Sequence, residues 1–169
     1  MITLKSPREI EGMRQSGAII AGMHQGLRDI IKPGISTWEI ETFSRDYIES
    51  HGGRAAQIGF EGYEYATTVS VNNEVAHAFP RKQLFLKEGD IVTVDTVVDL
   101  NGYYSDSAWT YAVGEVLPEV QRLMDVAKRA MYIGIEQAQV GNRLGDVGAA
   151  INAYVEDENG FGNVRDYVG

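Results

Sequence analysis

Residues 91–112, IVTVDTVVDLNGYYSDSAWTYA, constrain this chain more than any other stretch. Val92, Val94, Val97 and Val98 favour extended backbone in the first half, and Tyr103, Tyr104, Trp109, Thr110 and Tyr111 do so in the second. Between them, Asn101-Gly102 is a strong hairpin signal, because both residues tolerate the positive φ of a tight turn. Two carboxylates, Asp95 and Asp106, fall inside these strands, where aspartate is disfavoured. With a two-residue loop, Asp106 faces Val97 and lies diagonal to Asp95. With a four-residue loop, 99–102, Asp95 faces Asp106 directly. Both registers put the pair on one face, within about 5–8 Å; an odd-length loop or a bulge would separate them. At about 4 Å and an effective dielectric of 20, their repulsion is roughly 4 kcal/mol. A shared proton, a basic partner or a metal ion could offset it. The plain alternative is a solvated hairpin face carrying two incidental aspartates. Oxygen ligands suit hard divalent ions, and a paired site can hold two of them about 3.5–4 Å apart.

A length of 169 residues suits one domain with a substantial core, and a hydrophobic content of 44% argues against disorder. The net charge of −9 argues against broad nucleic-acid binding. No apolar run is long enough to span a membrane, and MITLKSPREI has no apolar secretory segment. The absence of cysteine excludes disulfides and thiolate metal sites; a cytoplasmic setting is expected.

Ser6-Pro7-Arg8-Glu9 predicts a helix start with a capping box, and Ile10, Met13, Ile20, Met23, Leu27 and Ile30 give it an apolar stripe that ends at Pro33-Gly34. His24 reads as a surface residue. A second capping box, Ser36 to Glu39, opens a helix with Ile40, Phe43, Tyr47 and Ile48 inward, stopped at Gly52-Gly53. Residues 59–63 form a loop whose rings either cover the core or line an apolar pocket. Strands are predicted over 66–71 and 74–79 about Asn72-Asn73, with His77 in the second as a structural histidine by default. Helices are predicted over 118–140 and 146–158.

These last two helices echo the first two. At a shift of 107 residues, Gly34 falls on Gly141, Glu39 on Asp146, Ile40 on Val147, Tyr47 on Tyr154 and Ile48 on Val155. The repeats span about 1–112 and about 117–169. Gly169 corresponds to Gly62, and the strands that follow Gly62 have no counterpart, so a single incomplete domain with an unpaired sheet edge is expected.

The segments KSPREIEGMRQSG, GFEGYEYATTVSVNNEVAHAFP, DIVTVDTVVDLNGYYSDSAW and GFGNVRDYVG occur in this order along nearly the whole chain. Together they resemble the bacterial type I methionine aminopeptidases, metallopeptidases with the pita-bread fold. The resemblance implies an α+β fold, an antiparallel sheet covered by two repeat-related helix pairs with the second repeat incomplete. It implies a site for two divalent metal ions (cobalt, manganese, iron or zinc) with five protein ligands. Asp95 matches the aspartate that binds one ion through both oxygens, and Asp106 the one that bridges both. His77 matches a catalytic histidine that contacts the substrate near the scissile amide. Phe60 and Tyr63 match the walls of the methionine pocket, which Thr68 and Gln57 complete. Phe60 replaces a frequent tyrosine, and Ala78 a glycine that usually follows the histidine. A histidine and two glutamate ligands follow YVG in the family and have no counterpart in residues 1–169, so the chain alone is expected to be inactive. The implied reaction removes the N-terminal methionine of nascent proteins when the next residue is small, through attack by a hydroxide bridging the ions. The implied partners are that N-terminal peptide and a transient ribosome contact, with no specific nucleic acid, no membrane, and a monomeric full-length protein.

Two other readings compete. One is a non-catalytic pita-bread protein that binds peptides or partners; retention of Asp95, Asp106 and His77 weighs against it. The other is a relative that cleaves before proline, whose usual large N-terminal domain has no counterpart ahead of Ser6.

Overall fold

The computed structural model describes residues 3–165. Helix α1 (Pro7–Ile30) starts at the predicted box: Ser6 Oγ accepts the Glu9 N–H, and the Glu9 carboxylate accepts the Ser6 N–H at 2.7 Å. Helix α2 (Thr37–Ser50) repeats the device with Ser36 and Glu39. The two helices pack closely because α1 offers glycine where α2 offers rings; a Cβ on Gly26 would lie 2.5 Å from the Phe43 ring.

Both helices belong to a unit built on an antiparallel sheet. Its centre is β3 (Ile91–Leu100), paired along its whole length with β4 (Tyr103–Ala112). Against its other edge lie β2 (Thr68–Val71), opposite residues 92–95, and β1 (Arg54–Ala55), opposite Asp99 and Val98. Period-two alternation decides the faces of β3: Val92, Val94, Thr96 and Val98 are buried. The three valines join Ile20, Met23, Leu27, Ile40 and Ile48 in one core under the helices. Thr93, Asp95 and Val97 point the other way, away from that core.

The chain divides after Val116. From Leu117 onward, α3 (Pro118–Gln137) and α4 (Leu144–Asn152) are followed by a π-helical turn, Ala153–Glu158. Val126, Ala130 and Val155 are buried there, with Ile151, Tyr154 and Phe161 against them. The helix predicted over 146–158 is thus an α-helix that widens into a π turn, and α3 ends at Gln137, three residues before the predicted end.

Two expectations are overturned. Residues 74–79 are not a strand: after the turn at Asn72 (φ +53) the chain leaves the ladder, and His77 itself has φ +57, which an extended run cannot contain. One backbone hydrogen bond, from Val69 N–H to Ala78 O at 2.9 Å, still ties the segment to β2. His24 is not a surface residue either. It is buried, with Nδ1 2.7 Å from the Tyr111 hydroxyl and Nε2 3.4 Å from Ser107 O, because polar groups of β4 reach the helix between its apolar positions. The end of the closing motif, Asp166 to Gly169, lies outside the described residues, as does the match of Gly169 with Gly62.

Candidate active site

The hairpin register is the diagonal one. Asp106 pairs with Val97, Asp95 pairs with Ala108, and the loop is the two-residue Asn101-Gly102 turn with Asn101 at φ +55. Asp95 and Asp106 therefore share the face turned away from the helices. Across the other edge of β3, Thr68 stands directly opposite Asp95. Asp95 is half-buried and Asp106 exposed. Burial pushes the Asp95 carboxyl up to about 6, and the charge of Asp106, with a hydrogen bond shared between the two, adds to the rise. His77 and the Thr96 N–H act in the opposite sense. The pair thus lacks an adequate counter-charge, and its all-oxygen donor set fits a hard divalent cation. Among the described residues, no group of three or more His, Cys, Asp or Glu side chains is placed to hold a metal ion.

Above the aspartates opens a cavity of about 850 Å³, which Gln57, Phe60, Tyr63, Thr68, His77, Asp95 and Asp106 all line. The structure brings every predicted site residue to one place. His77 reaches it from an exposed loop rather than from a strand. Ala78 donates its N–H to the buried Ser70 Oγ at 3.3 Å and its carbonyl accepts from Val69, so both sides of the residue after His77 are fixed to β2. The left-handed backbone falls on His77, not on Ala78, so Ala78 carries no positive-φ strain where the resemblance implies glycine. Phe60 follows Gly59 (φ +88) in a short 3₁₀ turn, Phe60–Gly62, and keeps its ring largely exposed at the rim.

Tyr63 is half-buried, and its hydroxyl donates to Thr67 O at 2.8 Å. Burial, and then the charges of Glu41, Tyr65 and Asp95, hold its phenol far above the usual range, so the group remains a neutral donor. Its ring packs edge-on to Tyr65 and tilted on Phe79, each at 5.5 Å. Gln57 presents a buried Oε1 with no hydrogen-bond partner among the described residues.

Sequence reasoning missed Tyr65, Phe79, Val97 and Tyr104, which also line the cavity. Two of them were within reach. Val97 and Tyr104 are each two residues from an aspartate ligand candidate, and period two puts them on its face. Phe79 follows from no local pattern, because the fold of the His77 loop decides where it goes.

Residues 11–169 match the model of metallopeptidase family M24. The chain belongs to this family. Methionine aminopeptidase 1 of Bacillus subtilis is 41% identical over 169 residues, covering 100% of this chain and 67% of its own length. A methionine aminopeptidase structure from Streptococci superposes with a TM-score of 0.94 at 47% identity, covering 100% of this chain and 72% of the other. That of Thermotoga maritima gives 0.96 at 41% identity, covering 100% and 68%. The chain thus spans about two thirds of the length of these relatives. The M24 methionine aminopeptidases are metal-dependent exopeptidases with dinuclear sites, and the pita-bread fold expected from the sequence is the fold observed. No helix among the described residues is long and apolar enough to cross a membrane.

Proposed function

We propose that the cavity over Asp95 and Asp106 is a methionine aminopeptidase site, which removes an N-terminal methionine when the next residue is small. The observation that carries this reading is the diagonal aspartate pair at the floor of a cavity walled by aromatic rings. Asp95 and Asp106 would hold divalent ions, up to two, drawn from cobalt, manganese, iron or zinc. When bound, such ions supply Lewis-acid polarisation of a carbonyl and an activated water. The protein's own groups do the rest. His77, on its fixed loop, offers an imidazole nitrogen to the peptide group next to the scissile bond. Tyr63 and Phe79 give a soft thioether side chain a ring-lined slot, with Phe60 at the rim. Thr68, beside Asp95, narrows the floor. The substrate is then the N-terminal peptide of a newly made chain, met during or just after synthesis with only transient ribosome contact.

Two carboxylates from one hairpin hold an ion weakly, and catalysis depends on ligand number and geometry. Residues 1–169 by themselves are therefore proposed to turn over little substrate. The names of the relatives favour the aminopeptidase over a non-catalytic binder or a proline-directed enzyme.

The test is release of methionine from Met-Ala-Ser with manganese or cobalt, by residues 1–169 and by the same residues joined to the remaining third of the Bacillus subtilis relative. The joined chain should be active. His77→Ala in it should lower turnover by roughly 10²-fold. Full turnover by a joined chain carrying Asp106→Asn would sink the reading.

A further inference from the structure

One buried carboxylate lies outside the aspartate pair. Glu41, on α2, is 1% exposed. Burying a carboxylate is costly unless donors surround it. Glu41 accepts from Ala66 N–H at 2.8 Å, Thr67 N–H at 2.9 Å and Thr67 Oγ1 at 2.6 Å. Arg45, one turn further along, donates to Glu41 at 3.0 Å and to Glu64 O at 3.2 Å. From the sheet, Thr96 Oγ1 donates to Ala66 O at 2.7 Å. Residues 64–67 come just before β2 and so have no ladder partners; side chains of α2 and β3 supply them instead.

What this clamp holds is the wall of the cavity. Thr67 O is the acceptor for the Tyr63 hydroxyl, Tyr65 lies between Glu64 and Ala66, and Thr68, the next residue, faces Asp95. We infer that Glu41, through Thr67, is a positioning residue that sets the width of the side-chain pocket and hence its selectivity. The inference rests on the reading of this cavity as a methionine pocket. Glu41 touches neither the substrate nor the metal ligands; it acts by fixing the backbone that carries Tyr65 and that accepts the Tyr63 hydroxyl at Thr67 O. A purely structural Glu41 would support the fold and leave selectivity alone.

The experiment compares residues 1–169 with Glu41→Gln and with Thr67→Val, which removes only one of the four donors and keeps the shape of the side chain. Dissociation constants for L-methioninamide and L-alaninamide are measured by NMR titration, with manganese affinity and thermal stability alongside. The preference for methionine over alanine should fall about tenfold in Glu41→Gln and severalfold in Thr67→Val, within the range a hydrophobic pocket can discriminate. Manganese affinity should change by less than about twofold, because no metal-ligand candidate is touched. If Glu41→Gln does not fold, Thr67→Val carries the test. An unchanged preference in a folded variant of lowered stability overturns the inference. If the unsubstituted chain shows no preference for methionine, the pocket reading falls instead, and the clamp is judged on Tyr63–Phe79 ring contacts seen as nuclear Overhauser effects. Their loss in Thr67→Val supports it, and their persistence overturns it.

Discussion

In the first unit α1 and α2 lie on a four-stranded sheet; in the second, α3 and α4 pack on one another and on the Ala153–Glu158 turn. Seventeen buried apolar residues make the first core, against three in the second, counted over the described residues. Outward-facing Leu117, Met131, Ile135, Val140 and Leu144 are exposed in the second unit. Both helix pairs carry apolar residues at helical spacing, so the difference teaches that an apolar stripe only specifies a face. Burial is decided by what that face meets. The largest test of the contrast is a matched pair of truncations. Ile40→Ala, at a site with no exposure, should cost about 4 kcal/mol, and Ile151→Ala, half-buried, about 1–2 kcal/mol. Urea unfolding followed by amide exchange in each unit measures both, and equal losses would break the comparison.

Glycine sharpens it with opposite signs. Gly26→Ala drives a methyl into the Phe43 ring and should destabilise by about 1–3 kcal/mol. A Cβ on Gly145, in α4, would meet nothing within 4 Å among the described residues. Gly145→Ala should stabilise by about 0.5–1 kcal/mol, because alanine is the better helix former and the unfolded chain loses freedom. The same unfolding curves check both.

Titration sets one carboxylate of the first unit, Asp95, against one of the second, Glu156. In the first, the Asp95 carboxyl sits at about 6, raised above its ordinary 3.8 by burial and then by Asp106. The folded state holds that proton more firmly than the unfolded chain does. The contribution of Asp95 to stability is therefore complete below the ordinary value and is lost as the pH rises through about 6. In the second unit Glu156 is lowered, chiefly by the Asn163 N–H, with Arg165 adding. Its contribution is present above the ordinary glutamate range and is lost as the pH falls through the lowered value. Glu9, Glu39 and Asp99 in the first unit are lowered as Glu156 is, so the Asp95 effect is read as the stability difference between the unsubstituted chain and Asp95→Asn. In metal-free protein that difference should fall as the pH rises through about 6, while the matching difference for Glu156→Gln should rise with pH. Asp106→Asn should flatten the first difference, and saturating manganese should reverse it. A first difference that grows as the pH rises, without metal, would contradict the uncompensated aspartate pair.

Most of this was legible in the chain wherever a local rule decides. Ser6, Glu9, Ser36 and Glu39 announce their helices, and Asn101-Gly102 with period two places Asp95 and Asp106 on one face whichever even loop forms. Choosing between the two even registers needed the fold, since both satisfy the same alternation. His24 and His77 were misread for a common reason: each lies where a non-local partner overrides the local pattern. Tyr111 and Ser107 draw His24 inward, and Ser70 with Val69 fixes the residue after His77 while His77 takes a positive φ. Glu41 offered only an ordinary i,i+4 pairing with Arg45, because the partners that give it its role, Ala66 and Thr67, are 25 and 26 residues away.

The smallest expected effect concerns the helix starts. In the first unit, serine and glutamate at Ser36 and Glu39 satisfy one another's orphan N–H groups. In the second, Asp146 accepts the Arg143 N–H at 2.7 Å, but Arg143 has no side-chain oxygen to offer in return. Half of the box is therefore present, and the backbone of Arg143 is already extended, at φ −106 and ψ 160, as a capping residue requires. Ser36→Ala should cost about 1 kcal/mol, and Arg143→Ser should gain about 0.5 kcal/mol by completing the box. The gain should appear as slower amide exchange in the first turn of α4, and in no part of the sheet. If Arg143→Ser gains nothing while Ser36→Ala costs the full amount, the weakness of the second unit lies in its uncovered faces alone, and the missing cap contributes nothing to the contrast.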